Sequence, residues 1–298
     1  MTKQLQATVV THGGAGGSRD QDDGCVFAAR AGLDRLAGGG GALDAAVAAV
    51  VALEDDGRYN AGSGSVLCLD GHTVEMDAAV MDSQGALGAV ACLQRAKNPV
   101  LVAQAVARTP HWLLAGEGAE RFARTAGFAI HHEISERQRA KHARLMATLG
   151  GQEPATPGIA NRAFKDYWNY DTPPAFTPCD TVGAVVRDGA GNFAVACSTG
   201  GSAPSLLGRV GDTPIIGSGF YAGADGAVAI TGIGEHIVRH LLAYTVYGWI
   251  AGGMAIGEAV RRGVGLLPQE IDVGIIAVDR TGAAMHSNRE MPCAEERA

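Results

Sequence analysis

The sequence has few aromatic residues and no cluster of positive charge. Aromatic residues make up only 5% of its 298 residues, the net charge is −7, and lysine and arginine form no cluster. A nucleic-acid partner requires a concentrated positive surface, so we expect none here. No internal repeat and no low-complexity tail interrupts the chain.

Cysteine is sparse and carries no metal or disulfide spacing. None of the six cysteines forms a CxxC pair, which is typical of reduced, buried thiols. The first residues contain no apolar run of the secretory type. These features predict a reducing, cytoplasmic location. The cysteines are Cys25, Cys68, Cys92, Cys179, Cys197 and Cys293.

Long apolar runs are also scarce. Only the stretch 240–257 invites a test as a membrane span, and Gly248, Gly252 and Gly253 interrupt it. Two soluble helices that meet at a turn explain this stretch better, so we expect no membrane partner.

Glycine and small apolar residues are abundant instead. The chain has 43 glycines and is 47% hydrophobic, a composition that favours tight turns around a sizeable core. Strand patterns outnumber those of βαβ alternation, and helix patterns come in adjacent pairs. We therefore predict one α+β domain over 1–298, with two antiparallel sheets between helical layers. The predicted strands cover about 6–11, 65–69, 74–81, 86–93, 182–187, 192–198, 214–218, 227–231, 273–278 and 283–287, and the predicted helices about 22–37, 43–53, 99–107, 119–125, 135–148, 234–247 and 254–263.

Thr181 begins a strand pattern directly after a proline-marked segment at about 150–180. A break between Asp180 and Thr181 would leave a threonine with a free α-amine. That amine titrates near pH ~8 and can act as a base for the hydroxyl of the same residue. A threonine at a strand start is also ordinary on propensity alone, so both interpretations stay open at this point.

Two further patterns each suggest a binding site, but an ordinary structural role explains each of them better. The glycine run 13–17 follows a strand, but the GxGxxG spacing of a dinucleotide loop fails at Arg19, which favours a tight turn. His236 and His240 are spaced for a metal on one helix face, but the sequence offers no suitably spaced third ligand.

Residues 53–64 form a helix end that runs into a loop. Glu54 and the backbone carbonyls there suit a hard cation, and the Asn60 amide suits an oxyanion. A solvated acidic helix end is the alternative.

A glycine-rich loop places Arg209 and Asp212 three residues apart. A guanidinium binds an α-carboxylate with two hydrogen bonds, and a carboxylate binds an α-ammonium, so this pair suits a small zwitterion. The alternative is a salt bridge between the two residues. Further on, Thr231 and Gly232 join a strand to a helix whose first amides suit an oxyanion.

These signals occur in one order: His12-Gly-Gly-Ala-Gly, Leu53-Glu to Asn60-Ala-Gly, Met76-Asp-Ala-Ala-Val-Met-Asp, Asp180-Thr181-Val-Gly-Ala-Val, Ser198-Thr-Gly-Gly, Gly208-Arg-Val-Gly-Asp and Thr231-Gly-Ile-Gly-Glu. From about His12 to Asp279, the chain resembles the plant-type L-asparaginase/isoaspartyl peptidase family of N-terminal nucleophile hydrolases.

The resemblance implies an αββα sandwich whose precursor cleaves itself before Thr181 into chains 1–180 and 181–298. Thr181 is then nucleophile and base, oriented by Thr199 and Thr231. The substrate is asparagine or a β-aspartyl dipeptide. The resemblance implies no catalytic cofactor, and it implies a homodimer of cleaved units.

The remaining roles also follow from the resemblance. Asn60 and Gly232 form the oxyanion hole, and Arg209, Asp212 and Gly234 bind the substrate's α-groups. A structural sodium ion binds Leu53, Glu54, Tyr59, Ala61 and Ser63.

Three positions depart from the family pattern. Asp180 stands where asparaginase-type members usually have glycine, Gly57 replaces a frequent proline, and 202–207 lacks the usual polar segment. A threonine aspartase-like protease, a glycosylasparaginase-like hydrolase and an uncleaved, non-catalytic binding protein therefore remain as alternatives.

Overall fold

The computed structural model describes residues 5–68, 70–148, 169, 181–203 and 205–298. Asp180 and the rest of the predicted linker at 150–180, apart from Asn169, lie outside the described residues.

Eleven strands and eight α-helices make up the described part of the chain. The strands are β1 (Thr8–His12), β2 (Met76–Asp82), β3 (Leu87–Leu93), β4 (Leu113–Ala115), β5 (Thr181–Arg187), β6 (Phe193–Thr199), β7 (Phe220–Gly223), β8 (Gly226–Gly232), β9 (Val273–Asp279), β10 (Ala283–Ser287) and β11 (Cys293–Arg297). The helices are α1 (Asp22–Ala37), α2 (Ala42–Asp56), α3 (Pro99–Val106), α4 (Gly116–Thr125), α5 (Glu136–Thr148), α6 (Gly234–His240), α7 (Leu242–Ala251) and α8 (Ile256–Val264).

The strands form two sheets. The larger sheet has the order β11-β1-β5-β6-β2-β3-β4, and the smaller has the order β10-β9-β8-β7. Every pair is antiparallel except β3–β4, which is parallel, so the larger sheet is mixed.

Side-chain alternation builds the layers. In β5, Val182 and Val186 pack under α1, α2 and α3, whereas Val185 faces the smaller sheet in a separate apolar cluster. In β8, Ala229 faces the larger sheet, and Ile230 packs under α7 and α8. Because successive side chains point to opposite faces of a strand, each sheet buries both of its faces. The predicted αββα sandwich is confirmed.

Two predicted strands are wrong. Residues 65–68 form no strand and Leu69 lies outside the described residues, while 214–218 turns and makes only an isolated bridge between Ile216 and Phe220. Gly217 has φ +82°, a conformation that interrupts an extended segment. The strand forms after this turn, as β7.

The helix predicted at 234–247 is also wrong as a single element, because it breaks at Leu241, where φ is +43°. The first amides of α7 donate outside the helix, from Ala243 to the Ser218 carbonyl and from Tyr244 to the Gly217 carbonyl. The turn expected before the next helix is present at Gly252 and Gly253, later than predicted because α7 continues through Gly248 to Ala251. None of the helices in the described residues has the length and apolar character to cross a membrane.

Candidate active site

Three threonines line the inner faces of the two sheets. Thr181 begins β5 and lies directly opposite Thr199, the last residue of β6. Alternation from Val185 and Val195, which face the smaller sheet, gives both threonines the same face. Thr181 and Thr199 are only 5% and 4% exposed. The nucleophile predicted from sequence therefore lies at one end of the buried interface between the sheets.

Thr231 approaches from the smaller sheet. It lies on β8 two residues after Ala229, whose Cβ is 3.2 Å from the position that a Cβ on Gly183 would occupy. Thr181 precedes Gly183 by two residues. Each threonine is therefore the next residue on the same face of its strand, beside the contact between Gly183 and Ala229. Thr231 is fully buried, and its hydroxyl accepts a hydrogen bond from the Ala15 amide at 3.2 Å.

That contact gives the first glycine run a structural role. Gly14 and Gly16 have φ of +111° and +101°, so the run makes a tight turn that few other residues would allow. The amides of Gly13 and Gly16 donate to the carbonyls of Pro292 and Glu290. The turn thus packs against Thr231 and the segment before β11, as expected for a tight turn and not for a dinucleotide loop.

His12 is a site residue to which sequence reasoning assigned no role. It ends β1 opposite Gly183 and is fully buried, close to the Thr181 backbone. Burial lowers the pKa of His12 to about 3, although the Thr181 backbone acts in the opposite direction. A neutral imidazole therefore lies beside the nucleophile. Its position at a strand end before a glycine run was the available signal.

Asn60 connects two loops beside Thr199. Its Oδ1 accepts from the Val66 amide at 2.9 Å, and its Nδ2 donates to the Gly201 carbonyl at 2.8 Å. The Gly200 amide in turn donates to the Asn60 carbonyl at 2.9 Å. These contacts bring the side chain to the end of β6, while its oxyanion role stays a prediction.

Gly232 ends β8 in a conformation that excludes a side chain. Its φ is +140°, and a Cβ there would lie 2.1 Å from the Asp272 carbonyl oxygen. Only glycine can therefore carry the chain from Thr231 into α6 along this path.

Arg209 and Asp212 converge over Gly234, the first residue of α6. A Cβ on Gly234 would lie 2.9 Å from an Arg209 guanidinium nitrogen and 3.0 Å from Asp212 Oδ1. The guanidinium, however, is paired with Glu235 and not with Asp212. Its Nε and one terminal nitrogen donate to the two Glu235 carboxylate oxygens, each at 2.9 Å.

Asp212 is 3% exposed, and its Oδ2 has no hydrogen-bond partner among the described residues. Burial raises the pKa of Asp212 to about 7, against the attraction of Arg209, and Glu235 and Asp77 raise it further. An uncompensated buried carboxylate is costly, so this oxygen is suited to a cationic ligand.

Two more carboxylates lie near the Arg209–Asp212 loop and were not predicted individually. Asp77, the register partner of Thr199, accepts from the Cys92 amide at 2.9 Å, and burial raises its pKa to about 6. Glu75 accepts from the Gly208 amide at 2.7 Å. An acidic residue within an apolar strand pattern, as in the Met76-Asp77 motif, was the sequence signal that could have identified Asp77.

Two glycines of the predicted sodium loop pack closely against backbone carbonyls. A Cβ on Gly62 would lie 2.8 Å from the Glu54 carbonyl oxygen, and one on Gly64 would lie 2.0 Å from that of Tyr59. These close approaches explain the two glycines, and the sodium ion stays a prediction. The Glu54 carboxylate instead accepts from the Val100 amide at 3.0 Å, and burial raises its pKa to about 8.

The other residues predicted for this cation have different surroundings. Leu53 and Ala61 are buried in the core, whereas Ser63 is half-buried. Within the described ranges, no three His, Cys, Asp or Glu side chains are grouped as metal ligands, so His236 and His240 gain no third ligand there.

Comparison with known proteins identifies the family. A family model described as asparaginase matches residues 5–296. The chain belongs to this asparaginase family. The resemblance inferred from the motifs is confirmed, and it extends beyond the 12–279 span that they cover.

Curated relatives cover nearly the whole chain. An isoaspartyl peptidase/L-asparaginase of Macaca fascicularis is 38% identical over 310 residues, covering 97% of this chain and 93% of the relative. The human protein of the same name is also 38% identical, with the same coverage of 97% and 93%. A plant-type L-asparaginase of Thermococcus kodakarensis is 39% identical over 289 residues, covering 93% and 91%.

Proposed function

We propose that this protein is a self-processing threonine hydrolase. It releases L-aspartate from L-asparagine, from β-aspartyl dipeptides, or from both. The proposal is carried by one arrangement: Thr181 and Thr199 oppose each other on one sheet, Thr231 lies on the facing strand, and Arg209 and Asp212 converge over Gly234. The names of the curated relatives agree with this activity.

Maturation is the first step of the proposal. The Thr181 hydroxyl attacks the Asp180 carbonyl carbon, the peptide C–N bond breaks, and the acyl group moves from nitrogen to oxygen. Water then hydrolyses the ester, which leaves chain 1–180 with a carboxylate and Thr181 with a free α-amine. The chain remains one domain built from two polypeptides.

Turnover uses the amine made in that step. It takes the Thr181 hydroxyl proton while Oγ attacks the β-carbonyl carbon of the substrate. The leaving nitrogen departs with that proton as ammonia or as an amino acid, and a β-aspartyl ester remains. Water cleaves the ester, releases L-aspartate and returns the proton to Oγ.

The surroundings of Thr181 suit this chemistry. Thr199 and Thr231 orient the nucleophile, and the amide groups of Asn60 and Gly232 stabilise the oxyanion. Neutral His12 packs beside Thr181 without bringing a second positive charge that would lower the basicity of the α-amine.

Recognition depends on two free α-groups. The Arg209 guanidinium binds the α-carboxylate, and the Asp212 carboxylate binds the α-ammonium. Substrate asparagine and β-aspartyl dipeptides carry both groups, whereas an internal aspartyl residue of a protein carries neither. The homodimer is proposed by resemblance to the family alone. The sodium ion is proposed from the resemblance together with the acidic loop 53–64, and the cytoplasmic location from the cysteine pattern.

A substrate panel with purified, matured protein tests the activity. We expect release of aspartate from asparagine or β-aspartyl dipeptides, and no cleavage when either α-group is blocked. Arg209→Ala should lower kcat/KM by roughly 10²–10³-fold, because the buried substrate carboxylate loses its charged partner. Equal cleavage of N-acetylated or internal aspartyl peptides would instead favour a threonine aspartase-like protease. A chain that stays uncleaved and inactive would favour the binding protein.

A further inference from the structure

Glu235 lies next to Gly234, where Arg209 and Asp212 converge. It follows Gly234 in the first turn of α6, and both of its carboxylate oxygens accept hydrogen bonds from Arg209. The pair is mostly buried, with the Arg209 and Glu235 side chains 19% and 29% exposed. Neither resemblance nor sequence pattern assigned Glu235 a role.

The charges around Arg209 explain why this pairing matters. Three carboxylates interact electrostatically with the Arg209 guanidinium: those of Glu235, Asp212 and Asp77. Asp212 lies only three residues away in the same loop, and one of its oxygens has no partner among the described residues. A buried carboxylate in that state attracts any guanidinium that is free to turn toward it.

A salt bridge between Arg209 and Asp212 would disable the site. Each group would neutralise the other, and the substrate would have to break the pair before its own two charges could bind. In the structure the two lie side by side over Gly234, and the bidentate contact to Glu235 sets the direction of the guanidinium.

We propose that Glu235 is a positioning residue that holds the Arg209 guanidinium away from Asp212 and so keeps both groups open for the α-carboxylate and α-ammonium of the substrate. This inference rests on the proposed function and deepens it. In this role Glu235 acts through its two hydrogen bonds with Arg209 and not through the substrate or the reacting atoms.

The inference predicts a specific kinetic pattern. In Glu235→Ala, Arg209 loses its anchor and turns to Asp212, so both recognition groups are lost together. KM for a β-aspartyl dipeptide should rise about 10-fold or more, while kcat stays within about 3-fold, because the groups around Thr181 are unchanged. Glu235→Gln should show a smaller effect in the same direction, and Glu235→Asp should restore part of the affinity.

A second readout separates this role from a merely structural one. Asp212 must be ionised to accept the α-ammonium, and Arg209, Glu235, Asp77 and Cys197 are the titratable or charged groups around it. Loss of the Glu235 charge and closer pairing with Arg209 both favour the ionised form of Asp212. The part of the acidic limb of kcat/KM that is due to Asp212 should therefore move to lower pH in Glu235→Ala, even though KM is higher.

The experiment measures kcat and KM between about pH 5 and pH 9 for wild type and the three variants. Binding of L-aspartate is followed by calorimetry. Glu117→Gln is the matched control, since it removes one carboxylate from an exposed Glu–Arg pair on α4, with Arg121. The control should match the wild type in every measurement.

The outcomes separate the two proposals. An active wild type with Glu235→Ala and Glu235→Gln unchanged in KM and in the acidic limb overturns the role of Glu235 alone. A fall in kcat with KM unmoved also overturns it. A wild type that neither hydrolyses the substrates nor binds L-aspartate overturns the proposed function, and the role of Glu235 with it.

Discussion

Gly234 carries no side chain at the point where Arg209 and Asp212 approach the start of α6. A methyl group there would lie within 3.0 Å of Asp212 Oδ1 and of the Asp212 amide, and 2.9 Å from the Arg209 guanidinium. Contacts this short force the loop to move, and a small displacement of binding groups is costly in an enzyme site.

Gly234→Ala should therefore raise KM about 10-fold or more with a smaller effect on kcat. Gly118→Ala on α4 is the control, because a Cβ there has nothing within 4 Å. Steady-state kinetics on both variants checks the prediction. Equal KM values in the two variants would show that Arg209 and Asp212 do not form the recognition site.

The ionisation of Asp212 predicts the pH dependence of the wild type. Its pKa is raised to about 7 by burial, so the carboxylate is protonated below that pH and cannot attract the α-ammonium. We expect kcat/KM to fall first as the pH drops through ~8, where the Thr181 α-amine gains a proton, and to fall further through about 7, where Asp212 does. A pH–rate profile measures this limb directly. A flat profile down to about pH 5 would contradict it.

At the scale of elements, the break between α6 and α7 stores backbone strain. Leu241 is 51% exposed and has φ +43°, a region where a side chain costs about 1–2 kcal/mol. The hydrogen bonds from the start of α7 to Ser218 and Gly217 hold the chain in this conformation.

Leu241→Gly should therefore be less damaging than the same change at an unstrained site. Leu266 is a fitting comparison, since it is 38% exposed and is not among the described residues with positive φ. Both substitutions remove the same side chain and loosen the unfolded chain equally. Denaturant unfolding should show Leu241→Gly more stable than Leu266→Gly by about 1–2 kcal/mol. Equal stabilities would mean that Leu241 is not strained.

The sequence predicted elements best where local pattern and burial agree. The strands expected at 182–187 and 192–198 are β5 and β6, because their β-branched and small apolar residues fill central positions with both faces covered. The break at Leu241 depends on tertiary hydrogen bonds that no local pattern contains. β11 carries Glu295, Glu296 and Arg297 and is recognisable only by its pairing with β1.

In the candidate site, too, the sequence predicted some features and the structure was needed for others. Motifs indicated Arg209 and Asp212, but only the structure shows that Glu235, and not Asp212, is the partner of Arg209. Likewise, Glu54 was expected to bind a cation, and its carboxylate contacts the first turn of α3. Sequence spacing identifies residues near a site, whereas their partners depend on distant elements.

At the scale of the whole molecule, the proposed cleavage site lies where two polypeptides would share one sheet. β5 would begin at the new N-terminus, yet it pairs with β1 on one side and β6 on the other. The order β11-β1-β5-β6-β2-β3-β4 interleaves strands from before and after residue 180. Cleavage before Thr181 would therefore leave the larger sheet intact.

The two fragments should consequently stay together after cleavage. Size-exclusion chromatography under native conditions should give one species that contains both 1–180 and 181–298, and denaturant should be needed to separate them. Spontaneous dissociation in native buffer would show that the strand interleaving does not hold the mature protein together.

The central claim is that Thr181 becomes an N-terminal nucleophile. Intact mass spectrometry of protein mixed with excess β-aspartyl dipeptide and quenched in acid tests it most directly. The account predicts fragments 1–180 and 181–298, with part of the second fragment heavier by one aspartyl group and the label on Thr181. Thr181→Ala should stay full-length and unlabelled. A wild-type chain that remains full-length, or a label on another residue, would contradict the account.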